Sequence, residues 1–209
     1  MFRISVIASG VAVVALLGAT WWMTVGRGSG EAFADCRETA IAGGAGSIGG
    51  PFTLVNGQGQ TVTDKDVITK PTLIYFGYTF CPDVCPVDAA RNAEAMDLLA
   101  EMGHDVQGAF ISIDPERDTP EVVGEYAGYM HENMIGLTGS PEQVAKASRA
   151  YRTLYSKQET DDEFYLMSHS VFTYLVLPEV GFVEFFRRET TPEDMAKRTA
   201  CFIDNVRAN

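Results

Sequence analysis

The chain has 209 residues, with 28 acidic side chains against 16 basic ones and a formal net charge of −12. That excess of carboxylates repels phosphate backbones and excludes a nucleic-acid-binding role. Hydrophobic residues make up 46% and aromatics 11%, enough for one core of ordinary domain size plus an appendage.

The appendage comes first. Ile4 to Val25, "ISVIASGVAVVALLGATWWMTV", is an uncharged apolar run long enough to cross a bilayer as a helix. Trp21 and Trp22 stand near its end, where interfacial aromatics belong. Residues 1–26 are therefore expected to form a transmembrane anchor with the N-terminus in the cytoplasm. A cleaved signal peptide is the rival reading, because "AFA" at 32–34 mimics a cleavage site. Its weakness is that the apolar run is too long for a signal core. A lipid-attachment site at Cys36 is disfavoured by the preceding "FAD". On either main reading the rest is exported, so the four cysteines sit where disulfides persist. Residues 27–50, rich in Gly, Ala and Ser, read as a flexible tether, and residues 51–209 as the folded domain.

"FTLVNGQGQTVT" predicts a hairpin around Asn56-Gly57. "TLIYFGY" (72–78) and "VQGAFISID" (106–114) read as buried strands. Between them Ala89, Ala93, Met96 and Leu99 recur at helical spacing, predicting a helix from about Pro86 that Gly103 closes. "TPEV" at 119, "SPEQ" at 140 and "TPED" at 191 each offer a capping hydroxyl, a proline at the first helical position and an acid. "IGLTG" (135–139) reads as a short strand. "VFTYLVL" (171–177) and "GFVEFF" (181–186) read as an antiparallel hairpin. The expected order is a β-hairpin, then βαβαβα, then a second hairpin and a closing helix. It is a layered α/β domain of thioredoxin-like arrangement with insertions.

Cys81 and Cys85, each followed by proline, lie between the first central strand and its helix. Residues before proline are pushed out of helical geometry, so both cysteines are expected in a loop over the helix N-terminus. Unpaired amides there favour thiolate, which serves metal binding and disulfide exchange alike. Topology brings Asp114 and its loop "DPERDTP" to the same sheet edge. Because the strand after it is antiparallel, His169 returns there too. His104 and His131 fall on the opposite edge and read as ordinary surface residues. Two thiolates and an imidazole make a soft mixed site that favours copper, Cu(I) or Cu(II). Zinc would want a fourth ligand, a place open to Asp114. The better reading of Asp114 is a group behind the metal or in a partner-docking loop. A pure dithiol oxidoreductase more often spaces its cysteines C-x-x-C and has no use for His169. A peroxidase of the same fold has no use for the second cysteine.

"FGYTFCPDVCP", "SIDPERDTP", "IGLTGS" and "SHSVFTYLVLPEVGFV" together resemble the Sco/SenC family of membrane-anchored copper-binding proteins. The likeness runs from about residue 49 to the closing helix. It implies a thioredoxin-like fold, copper ligation by Cys81, Cys85 and His169, and a role for Asp114 near the metal or the partner. Many members carry Asp before the histidine, where this chain has Ser168. The resemblance also implies a part in assembling the CuA centre of cytochrome c oxidase. One version is a chaperone that takes copper from an upstream periplasmic donor and delivers it to subunit II. The other is a thiol-disulfide reductase that prepares the cysteines of that subunit, in which case Cys81 and Cys85 are the catalytic pair. A respiratory or redox-signalling role stays open. The placement implied is a bacterial inner membrane, single-pass, with the domain in the periplasm.

Two cysteines remain. On the last helix Met195, Thr199, Phe202, Ile203 and Val206 make one stripe, and Cys201 points roughly 140° from its centre. An exposed thiol in an oxidising compartment is a liability, so a Cys36–Cys201 disulfide pinning the tether to the domain is expected. Met130 and Met134, beside His131, read as core filler rather than a thioether site. "ETDDE" (159–163) reads as a solvated flap ahead of His169.

Overall fold

The layout follows from two fully buried strands side by side. A computed structural model describes residues 33–37, 45–159 and 164–207. In it Thr72–Gly77 (β3) and Gln107–Ser112 (β4) are buried at every position. They pair in parallel, and their apolar runs are covered on both faces, as a central parallel pair requires. Around them lie β1 (Thr53–Asn56), β2 (Thr61–Thr63), β5 (Met134–Thr138), β8 (Thr173–Leu177) and β9 (Gly181–Phe186). The sheet order is β2-β1-β5-β4-β3-β8-β9, with β5 parallel to β4, and with β1 and β8 antiparallel to their central neighbours. The helices are α1 (Asp64–Val67), α2 (Val84–Glu101), α3 (Pro120–Met130), α4 (Pro141–Ala150) and α5 (Pro192–Arg207). A separate ribbon pairs β6 (Tyr155–Lys157) with β7 (Met167–His169).

Local chemistry sets the boundaries. The Asn56 side chain accepts amides from Gln58 and Gln60, closing the first hairpin. Thr119 caps α3 at Val122 N–H, and Ser140 forms a reciprocal capping box with Gln143. Thr191 accepts from Asp194 N–H at the start of α5. Leu54, Ile74, Phe76, Ile111 and Leu137 meet in the main core, each contributing about 1.5–3 kcal/mol by burial. On α5, Met195, Thr199, Phe202 and Ile203 of the stripe are buried, whereas Val206 in the last turn is exposed. Met134 is buried and Met130 packs against the core.

Two readings need correction, the loop at Cys85 and the surface place of His104. Helix α2 starts at Val84, so Cys85 is already helical and not in a loop. Pro86 is tolerated because amides of the first turn need no intrahelical acceptor. His104 is buried, 8% exposed, because α5 packs against α2 and brings Asp204 within 3.8 Å of its Nε2. His131 accepts the Asn133 amide at Nδ1 and meets Asp97 at 3.2 Å through Nε2. Helix α1 and the β6–β7 ribbon were not anticipated.

The sulfurs of Cys36 and Cys201 are bonded at 1.94 Å across a separation of 165 residues. Nearby, Arg37 Nε donates to Val183 O and Gly49 N–H to Ala150 O. No helix among the described residues is long and apolar enough to cross a membrane. The segment read as an anchor, 1–26, lies outside them, as do much of the tether and residues 160–163 of the acidic stretch.

Candidate metal centre

The site forms where the C-terminal ends of β3 and β4 meet the loop entering β8. The turn after β3 folds back through a Cys81 N–H to Tyr78 O bond of 3.3 Å. Cys81 Sγ then accepts the amide of Cys85, 3.3 Å away. That amide belongs to the first turn of α2 and has no helical acceptor of its own, so the sulfur acts as a cap. Cys85 is fully buried. Its sulfur lies against Gly77 of β3, where a Cβ would come within 3.1 Å of it; only glycine leaves the thiol this room.

His169 closes the arrangement from the ribbon. Its Nε2 stands 3.5 Å from Cys85 Sγ, and its Nδ1 lies 2.9 Å from the carbonyl oxygen of Ser170. A carbonyl only accepts, so Nδ1 carries the proton and Nε2 turns its lone pair toward the thiol. Tyr75 and Tyr78 box the imidazole edge-on, with ring centroids 6.2 and 5.9 Å away. Burial holds the His169 pKa below its ordinary value, so the ring is neutral at pH 7. Among the described residues no group of three or more His, Cys, Asp and Glu side chains is already arranged to hold a metal ion. The three donors are adjacent without being closed around one point.

The two thiols differ. Burial opposes ionisation of Cys81, but the amides of Asp83 and Cys85, the Cys85 thiol and the Tyr78 hydroxyl outweigh it and bring its pKa below that of a free thiol. Cys85 is pushed well above that value, chiefly by burial and then by Cys81 beside it. Burial also takes the Tyr78 phenol up to about 12, leaving it a neutral donor.

Asp114 is 2% exposed. It is paired with Arg117 at 2.5 Å and accepts the Tyr165 hydroxyl at 2.8 Å. Asp118, also buried, accepts Ser112 Oγ, Thr79 Oγ and Thr79 N–H, and so holds the turn that leads to Cys81. Its pKa is raised by burial against those hydrogen bonds. Sequence reasoning brought Cys81, Cys85, His169 and Asp114 to one edge and missed Tyr75, Tyr78, Arg117, Asp118 and Tyr165. Tyr75 was within reach of a strand argument, since it shares a face of β3 with Gly77. Tyr165 was not, because nothing local marks its partner 48 residues away. Of the three histidines only His169 contacts a cysteine of the motif.

A family model described as SCO1/SenC matches residues 42–204. Protein SenC of Rhodobacter capsulatus is 48% identical over 202 residues, covering 97% of this chain and 91% of that protein. The mitochondrial SCO1 homolog 1 of Arabidopsis thaliana is 47% identical over 151 residues, covering 72% of this chain and 45% of that longer protein. The crystal structure of Arabidopsis thaliana ScoI with copper bound superposes with a TM-score of 0.71 at 42% identity, covering 78% of this chain and 99% of that one. The mixed α/β, thioredoxin-like fold is shared with it, and this chain belongs to the SCO1/SenC family.

Proposed function

We propose that this protein binds copper through Cys81, Cys85 and His169 and delivers it to the CuA site of cytochrome c oxidase subunit II. The observation that carries the reading is the 3.5 Å approach of His169 Nε2 to Cys85 Sγ, made with the imidazole neutral and its lone pair inward. The donor set fits the cargo: thiolates select Cu(I), and an imidazole extends the site to Cu(II). A similar chain was solved with copper bound. Cys81 starts as the more readily ionised thiol, and burial keeps Cys85 protonated until a cation displaces its proton. Asp114 stands behind the site as a structural anchor rather than a fourth ligand, because Arg117 and Tyr165 occupy its oxygens.

In this reading residues 1–26 anchor the chain in a bacterial inner membrane. The domain then faces the periplasm, takes copper from an upstream donor and meets the oxidase there. The test is copper loading of the full chain. The wild type should retain one copper and, with Cu(II), show a thiolate-to-copper charge-transfer band in the visible region. Cys81→Ala, Cys85→Ala and His169→Ala should each weaken retention. Stoichiometric copper in the double cysteine variant would overturn the assignment.

One observation favours a second reading, a thiol-disulfide reductase acting on the CuA cysteines. Both Cys81 and Cys85 are free, and their opposed pKa shifts suit an attacking and a resolving thiol. The Cys81 thiolate would attack a substrate disulfide and release one substrate thiol. Cys85 would then displace the other, leaving this pair oxidised and the substrate reduced by two electrons. His169→Ala separates the two, since it should spare the reductase and cripple the chaperone.

A further inference from the structure

The chain entering β7 is held by a clamp that the metal-binding residues do not themselves explain. The Arg117 guanidinium carbon lies 3.6 Å from the centroid of the Tyr165 ring, 4.9 Å from that of Phe80 and 5.8 Å from that of Tyr78. Its Nη1 donates to Tyr165 O at 3.0 Å and its Nε to Asp114 at 2.5 Å. The Tyr165 hydroxyl returns to Asp114. Lys157 Nζ, from β6, also lies 3.6 Å from the Tyr165 ring centroid and reaches Glu116 at 3.3 Å. Tyr165 is thus tied to the β4–α3 loop by its ring, its hydroxyl and its carbonyl. Four residues on, in the same ribbon, stands His169.

Its other holds on the body include the partly buried Tyr155 and Met167, which pack against the core. Among the described residues its strands pair only with each other, and its exposed residues include Ser156, Lys157 and Ser168. A two-stranded ribbon is marginal alone, so its position depends on what fixes its ends. We infer that Arg117 and Tyr165 are positioning residues for His169: anchored on Asp114, they hold the ribbon so that the imidazole faces Cys85. A planar guanidinium suits the task, since it stacks flat on a ring while its edge donates in two fixed directions, whereas an ammonium offers no planar face. Loosening the clamp lets the ribbon lift and withdraws the histidine while Cys81 stays in the turn before α2 and Cys85 in its first turn. The inference deepens the copper-binding reading and rests on it for its consequence, but the clamp is open to test without metal.

The variants are Tyr165→Ser and Arg117→Lys, made in the full chain. In metal-free protein, carbethoxylation of the histidines is followed by mass spectrometry. Both variants should speed modification of His169 severalfold and leave His104 and His131 at the wild-type rate. Acceleration of all three would signal general loosening and overturn the inference, as would an unchanged His169. With copper loaded, loss to a chelator should rise about tenfold in each variant, the scale typical of groups that orient a ligand. It should show no further rise when the variant is combined with His169→Ala; equal effects in both backgrounds would overturn the role. If Tyr165→Ser does not fold, Arg117→Lys carries both measurements. If His169→Ala alone leaves copper retention intact, the ligand reading falls, while the metal-free result still decides the clamp.

Discussion

Cys81 and Cys85 stand four positions apart and their thiol pKa values are shifted in opposite directions, one down by amides at a helix end and the other up by burial against Gly77. Alkylation of metal-free protein at pH 7 should therefore label Cys81 well before Cys85; the reverse order, read by peptide mass, would refute the assignment. Asp118 supplies a pH test. Its folded pKa is raised above the unfolded value of about 3.9. Its contribution to stability is thus full below that value and is lost as pH rises through the folded pKa. Asp118→Asn should remove this dependence, so wild type should gain on the variant as pH falls from 7 toward 4. Urea titrations at both ends check the sign, and a gain on raising pH would contradict it. At this scale the motif cysteines were legible because they are neighbours in sequence. His169 was legible because strand direction chooses it. The burial of His104 was not, since it is created by a helix that arrives 100 residues later.

Three helices were announced by their caps, and Thr119, Ser140 and Thr191 perform as such. The start of α2 was misplaced because Pro86 was treated as a barrier, whereas a first-turn proline lacks only a donor that needs no acceptor. Strands β6 and β7, three residues each, carry no periodicity to read; they exist because they pair with each other. Packing between elements gives a further test. A Cβ on Gly136 of β5 would meet the Val123 carbonyl of α3 at 2.1 Å, so strand and helix touch backbone to backbone. Gly136→Ala should destabilise the fold by about 1–3 kcal/mol, as overpacking of a tight contact does. An unchanged urea midpoint would mean that α3 shifts freely.

Over the whole molecule, Cys36–Cys201 joins the segment ahead of the domain to its closing helix. A bridge that spans 165 residues restricts the unfolded chain, with typical stabilisation of about 2–4 kcal/mol. Cys36→Ser with Cys201→Ser should lower the unfolding free energy by that order, measured against wild type without reductant. A difference near zero would show that the cross-link serves something other than stability.

The sequence by itself determined the main strands and the capped helices, because caps, prolines and apolar runs act within a few residues. It also determined the soft character of the donor set, because two cysteines and a histidine bring that chemistry wherever they meet. Tertiary structure alone decided how those donors are tuned and held. The depth of Cys85, the lone pair of His169 turned inward and the Arg117–Tyr165–Asp114 clamp are contacts between segments far apart in the chain. Burial and charge at such places depend on what packs there, and no local pattern records it.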